Sequence, residues 1–446
     1  MKRLSWICGV AVALASSAGA QEVVRLTLDD AVARGLANSQ RLAELESRVE
    51  GAEAAEAGRA AARMPSLALL GGYTRTNHVD EFGVAQPGQP PRIIYPDIPD
   101  NFRARLDLQW PVYTGGRTEA LQRAAHAERH AAGEDLTAAR ADLRLEIARA
   151  YWALVTAAET ERVLARSLDS IGAHVADLRS RLEEGLIPPN EVLSAEAQRS
   201  RQRLLAVEAR NLRAVADADL HRLLGIETPG RIEPVAPLEL QAPPGDVAPG
   251  DVALVDVALV AKARAQRAER RALESRVEAA SARAEAAGAA ARPQVGVSSG
   301  YDYARPNARI FPRNRTWRDS WDVSINVSWL LWDGGKQRAE QAEASALARG
   351  AATCVAEFDR QVAFEVRQRG LEIDSAREAI TAAADGLRSA TEALRVVHER
   401  FRAGVATSTE VLDAEIAVLQ AALDRTRALA SARLARARMD RALGGT

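Results

Sequence analysis

Few residues in this chain have the types and spacing that chemistry needs. His126 and His130 stand one helical turn apart in HAERH and could share a metal ion. Glu128 is misplaced for the HExxH protease pattern, however, so the pair reads as a solvated helix face and no metal is expected. WDGGKQ at 332–337 lacks the spacing and the Ser or Thr of a phosphate-binding loop. Cys354 is the single cysteine after Cys8, which excludes an internal disulfide and suits a small helix-packing residue. Glu191, Glu410 and Asp413 fall at the starts of helical stretches, where the macrodipole favours acids. These groups form no catalytic constellation, so neither an enzyme nor a cofactor is expected.

The elements that carry these residues are written twice. LDLQWPVYTGGR at 106–117 returns as INVSWLLWDGGK at 325–336, an offset of 219. EGLIPPNEVLSAE at 184–196 returns at the same offset as AGVATSTEVLDAE at 403–415. Before the strands the offset is 228, with ESRVEGA at 46–52 against ESRVEAA at 274–280, so the second copy has nine fewer residues between Tyr301 and its second strand. A period this long marks a doubled domain rather than a solenoid. The first repeat covers 21–226, the second 251–446, and a Pro-rich linker fills 227–250.

The start MKRLSWICGVAVALASSAGA has the basic, apolar and small-residue order of a cleaved secretory signal over 1–20. Removing it leaves 57 basic against 60 acidic residues, a net charge near −3 that offers nothing to nucleic acid. No apolar run reaches 18 residues, so no transmembrane helix is expected.

Of the 18 aromatic residues beyond the signal, 13 fall in 65–113 or 293–333. The remainder has the Ala, Leu, Arg and Glu composition of long helices. Each repeat should hold a helix from about 28–63 or 252–291, a β-hairpin at 66–113 or 294–332, a long helix at 115–184 or 334–403, and a short helix at 190–224 or 409–443. Leu164, Leu168, Ile171, Val175, Leu178 and Leu182 are spaced 4, 3, 4, 3, 4, and Ala383 to Phe401 copy that spacing. This is a heptad seam that seeks a partner helix.

Four strands are expected at about 66–76, 102–113, 294–304 and 319–332. In the last, Trp321, Val323, Ile325, Val327, Trp329 and Leu331 alternate with polar residues, giving one apolar and one polar face. Trp at both ends of that face resembles the interfacial girdles of membrane barrels, and its apolar residues should meet lipid. Four strands cannot close a barrel in lipid, so the chain must oligomerise. Gly115-Gly116 and Gly334-Gly335 supply the backbone freedom for a strand to turn abruptly into a helix.

Taken in order, these motifs resemble the outer-membrane factor family, the TolC-like efflux and secretion channels. The resemblance covers nearly all of the chain after the signal: helix, strand hairpin ending in W-x-x-[WY]-[TD]-G-G-[RK], long helix, tip G-x-x-[PT]-x-x-E-V-L-x-A-E, short helix, twice. It implies an α+β membrane protein with an internal tandem repeat, a long α-helical coiled-coil barrel and four transmembrane β-strands per protomer, giving a 12-stranded barrel in a homotrimer. It implies residence in the bacterial outer membrane with extension into the periplasm, a periplasmic adaptor as partner, and an inner-membrane RND or ABC pump acting through it.

The resemblance also assigns roles. Acidic rings narrow the family's tunnel at the hairpin tips, where Glu410, Asp413 and Glu191 match and Phe401 replaces an aromatic phenol. Ala406 stands where some members carry an Arg that locks the gate, so that lock is not expected here. Gly185-Leu186 and Gly404-Val405 match the tips at which adaptor hairpins dock. Small-molecule efflux is the first reading; a one-step protein secretion channel and, less favoured, a non-conducting periplasmic coiled-coil adaptor are the alternatives.

Overall fold

The computed structural model describes residues 22–227, 230–235, 238 and 252–445. The expected signal peptide and most of the Pro-rich linker lie outside the described residues. In chain order the elements are β1 (Glu22–Leu26), α1 (Leu28–Asn38), α2 (Gln40–Ala61), β2 (Ser66–Arg75), β3 (Phe82–Gln86), β4 (Gln89–Tyr95), β5 (Asp100–Tyr113), α3 (Arg117–Glu183) and α4 (Pro189–Leu224). There follow β6 (Gly230–Pro234), α5 (Val252–Gln266), α6 (Ala268–Ala289), β7 (Gln294–Arg305), β8 (Arg318–Ser328), α7 (Lys336–Arg402) and α8 (Ser408–Ala442). Among the described residues no helix is long and apolar enough to cross a membrane.

Two compact units cut across the repeats. One takes residues up to 40 with 140–256 and 366–445; the other takes 41–139 with 257–365. Each unit therefore draws on both copies.

The helices expected at 28–63 and 252–291 are each broken in two, at Ser39 and at Arg267. Both residues leave the helical region, with ψ of 113° and 123°, and they are 228 apart, so the break itself is duplicated. Neither position carries Gly or Pro, the residues that ordinarily announce a helix end.

In the unit around residue 267, Arg267 is buried and pairs with Glu365 at 2.5 Å, while α6 turns an alanine seam of Ala272, Ala279, Ala282, Ala286 and Ala289 inward. Ion pairs Arg271–Glu134 and Arg276–Asp135 tie α6 to α3 alongside that seam. In the other unit β1 pairs in parallel with β6, a ladder that the sequence did not announce. The Tyr151 hydroxyl of α3 donates to the Leu26 carbonyl at 3.2 Å, fixing the ladder to the long helix.

The largest sheet runs β2-β5-β7-β8, all antiparallel, with β5 and β7 joining the two repeats at Arg105 opposite Asp302. β8 ends at Ser328, short of the expected 332, because its partner β7 begins at Gln294 behind Pro293, which has no N–H to offer the ladder. Between β2 and β5 the extra residues of the first copy form a small hairpin, β3–β4, turning at Gly88 with φ of 80°.

Candidate functional site: membrane sheet, joints and hairpin tips

Pairing register sorts every side chain of the sheet onto a face. Leu67, Leu69 and Tyr73 of β2 lie opposite Leu108, Leu106 and Phe102 of β5. Trp321, Val323, Ile325 and Val327 of β8 lie opposite Tyr301, Ser299, Val297 and Val295 of β7. This apolar face stays open in the protomer, with Val327 68% and Ile325 72% exposed. An exposed, contiguous apolar sheet face is costly in water and at home in lipid.

The opposite face holds a charge network. Arg105 of β5 donates to Asp302 of β7 at 2.6 Å and to Asp322 of β8 at 3.2 Å, with Asp107 at 3.0 Å and Arg103 also on Asp302. To reach Asp322 the guanidinium passes over Gly300, where a methyl group would collide with it. The sequence showed a polar face but not this network. The signal that could have found it is Gly300 itself, two residues from Asp302 on the same face.

Trp329 falls past the end of β8, so it is not part of the lipid-facing strand on which it was placed. Its indole N–H donates to the Ala291 carbonyl at 3.0 Å, just beyond α6. Trp110 does the same to the Arg63 carbonyl at 3.2 Å, just beyond α2. The donors are 219 apart and the acceptors 228, the two repeat offsets. Each Trp satisfies a carbonyl that a helix end leaves orphaned, which pins the helix to the sheet.

At the joints Gly115, Gly116, Gly334 and Gly335 all have positive φ, at 68°, 90°, 73° and 94°. Other residues adopt this region only under strain. At Gly115 space is restrictive as well, because an added Cβ would lie 2.8 Å from the Ala289 carbonyl. The Thr114 hydroxyl then caps α3 through the Thr118 N–H, and Asp333 caps α7 through the Gln337 N–H.

Both hairpin tips close α3 and α7 in the same way. The N–H of Gly185 bonds to the Leu182 carbonyl and that of Leu186 to Arg181; Gly404 bonds to Phe401 and Val405 to Arg400. This is a Schellman turn, with each glycine left-handed at φ of 72° and 75°. It pushes Leu186 and Val405 outward, 68% and 64% exposed.

Beneath the turns Ile171, Val175, Leu178, Val192, Val411, Leu412 and Phe401 form one core. Phe401, expected at the gate, is buried there under the Arg181 guanidinium, 4.4 Å from the ring centre. Glu410 closes a capping box with Thr407 and pairs with Arg400 at 3.5 Å, while Asp413 is exposed one turn on. Glu191 sits in the first turn of α4, whose N-cap Pro188 makes no side-chain bond. Ala406 packs against the tip core, so the charge beside this turn comes from Arg400.

Polar side chains interrupt the seam just above. Buried His174 lies 3.1 Å from the Ser408 hydroxyl, and Glu415 accepts from Ser170 at 2.8 Å. Burial pushes the His174 imidazole below its usual range and the Glu415 carboxyl above its own. His126 and His130 do come together, in the unit of the membrane sheet. Among the described residues no group of three or more His, Cys, Asp or Glu is arranged to hold a metal.

This architecture recurs in solved structures. CusC superposes with a TM-score of 0.80 at 18% identity, covering 96% of this chain and 94% of that one. The outer membrane protein VceC of Vibrio cholerae gives 0.76 at 21%, covering 94% and 96%. In sequence the chain is 28% identical to protein CyaE of Bordetella pertussis over 441 residues, 91% of this chain and 83% of that protein. The sequence pattern of outer membrane efflux proteins matches residues 31–226 and 259–445. The chain thus belongs to the outer membrane efflux protein family, a passive channel component of the bacterial outer membrane that extends into the periplasm, and not an enzyme.

Proposed function

We propose that three copies close their four-stranded sheets into one 12-stranded barrel and serve as the exit duct of a tripartite efflux system. The observation that carries this reading is the open sheet. β2 and β8 each leave one edge unpaired among the described strands, beside an apolar face that only lipid would solvate. Unpaired edges are not viable in hydrocarbon, so a neighbour's β8 must meet β2. The charged face then lines the water-filled bore.

In this reading the duct is passive. A periplasmic adaptor docks on the exposed tip dipeptides Gly185-Leu186 and Gly404-Val405, and an inner-membrane pump of the RND or ABC class drives small molecules through. Glu410 and Asp413 from three chains set six carboxylates around the periplasmic mouth, with Glu191 beside them. The capping box holds Glu410 against its own helix, which leaves Asp413 as the freer of the two rings. Phe401 contributes to closure through the tip core rather than by filling the bore.

The test has two parts. Purified protein should migrate as a trimer and give single-channel currents in planar bilayers, blocked by multivalent cations and released when Glu410 and Asp413 are both neutralised. Deleting the gene should raise accumulation of small dyes. Loss of one secreted protein with unchanged dye accumulation would move the duct to protein secretion, and a monomer without current would overturn it.

A further inference from the structure

Two imidazoles meet on α3, among none of the residues of the sheet's charge network or of the tips. The Nε2 atoms of His126 and His130 approach to 3.1 Å, with rings edge to face at 79° and centroids 4.5 Å apart. The Nδ1 of His126 lies 2.8 Å from an oxygen of Glu56 on α2, whose other oxygen forms an ion pair with Arg129, 2.8 Å from its Nε. Arg129 reaches on toward Glu53 at 3.6 Å.

These contacts fix the tautomer. The Glu56 carboxylate can only accept, and its oxygen lies at hydrogen-bond distance from Nδ1 of His126, so Nδ1 carries the proton. Nε2 of His126 is then left with its lone pair facing Nε2 of His130. A carboxylate on one imidazole nitrogen, with the lone pair of the other accepting from His130 Nε2–H until a metal displaces that proton, is the arrangement that metal-binding histidines use.

The separation also fits. Two ligands at metal–nitrogen distances of about 2.05 Å stand about 2.9 Å apart at a right angle and about 3.3 Å apart at the tetrahedral angle. The observed distance falls between these limits. We propose that His126 and His130 form a two-imidazole site for a divalent transition ion of the imidazole-preferring class, with Glu56 as the positioning residue and water completing the shell.

On binding, the proton of His130 moves from Nε2 to Nδ1, and both Nε2 lone pairs go to the metal. Both side chains are exposed, so the ion has access and water can occupy the other positions. The site ties one turn of α3 to α2 through Glu56, in the unit that also holds the four-stranded sheet. Arg129 opposes a cation here, but its guanidinium is paired with Glu56 and Glu53.

Copper(II), which binds nitrogen sites most tightly among these ions, is the probe. The full-length protein in detergent, freed of any polyhistidine tag, is titrated with Cu2+ and followed by electron paramagnetic resonance. One ion per chain with coupling to two nitrogens is expected. His126→Ala and His130→Ala should each reduce the coupling to one nitrogen and weaken binding at least tenfold. Glu56→Gln should keep two nitrogens yet weaken binding about 10- to 100-fold. His78→Ala, at a distant histidine, should change nothing. Binding that survives His130→Ala with an unaltered spectrum, or no ion bound at one equivalent, would overturn the site.

Discussion

The helices α3 and α7 hold matching places in the two repeats, are both 67 residues long and end in the same turn. Even so, 23 apolar side chains of α3 are buried in the protomer against four of α7. The seam positions show the contrast directly. Ile171, Val175 and Leu178 are buried, whereas Leu387, Leu394 and Val397 at the copied spacing stay partly open, and Phe364 and Leu371 stand 70% exposed. Duplication therefore preserved the backbone and divided the labour. The first repeat finishes a core within its own chain, and in the proposed trimer the second keeps its long helix for a neighbour.

Several substitutions would break or sharpen that contrast. The largest effect is expected at Leu178, where truncation to Ala should cost about 2–5 kcal/mol, as for fully buried leucines. Val397→Ala, its counterpart on α7, should cost under about 1.5 kcal/mol in a dissociated protomer and more in the assembled trimer. Chemical denaturation of both species would show it, and equal losses in both would erase the distinction.

Next comes the sheet. Val327→Lys on the apolar face should destabilise by about 2–4 kcal/mol when the protein folds into lipid vesicles, whereas Ser324→Lys on the polar face should cost little. Equal penalties would mean that the two faces do not separate lipid from water.

Smaller effects distinguish the tips. Thr407→Ala removes the capping box of α8 and should cost about 0.5–2 kcal/mol, seen as faster amide exchange in the first turn of that helix. The first tip has no such cap to lose, so Pro188→Ala should leave exchange at α4 nearly unchanged.

The smallest expected effect is a pH dependence. His174 takes up a proton more readily in the unfolded chain, so the stability it contributes is complete above the free-imidazole range, near about 6.5, and is lost as pH falls below it. Glu415 acts in reverse, because the fold holds it protonated to higher pH than the unfolded chain does; its stability is present at low pH and is lost as pH rises above the usual glutamate range. Glu415→Gln should therefore raise stability near neutral pH and flatten the upper limb of the melting profile. Thermal melts from pH 4 to 8 would check both limbs.

How much of this was legible in the sequence depends on the length of the signal. The long helices declared themselves by 67-residue stretches free of Pro, and the second and fourth expected strands by the alternation of Phe102–Val112 and Trp321–Trp329. The tip glycines and Thr407 announced their turns through the chemistry of Schellman ends and capping boxes. What escaped notice was short or tertiary in origin. The five-residue strands β1 and β6 have too few positions for a period to register, and their pairing spans 208 residues. The break at Arg267 is set by a neighbour, since Arg267 leaves the helix to pair with Glu365 in a buried setting. At the site, residue types revealed a polar sheet face, but register alone places Arg105, Gly300 and Asp322 in one line.

The β1–β6 ladder carries one more implication. It joins residues 22–26 to residues 230–234, across the whole of the first repeat. Closing so long a loop costs entropy that grows with the logarithm of its length. The same unit also takes in residues 366–445, so the ladder is one of two long closures that its core requires, and shortening the chain between β1 and β6 should lower the entropy lost on folding.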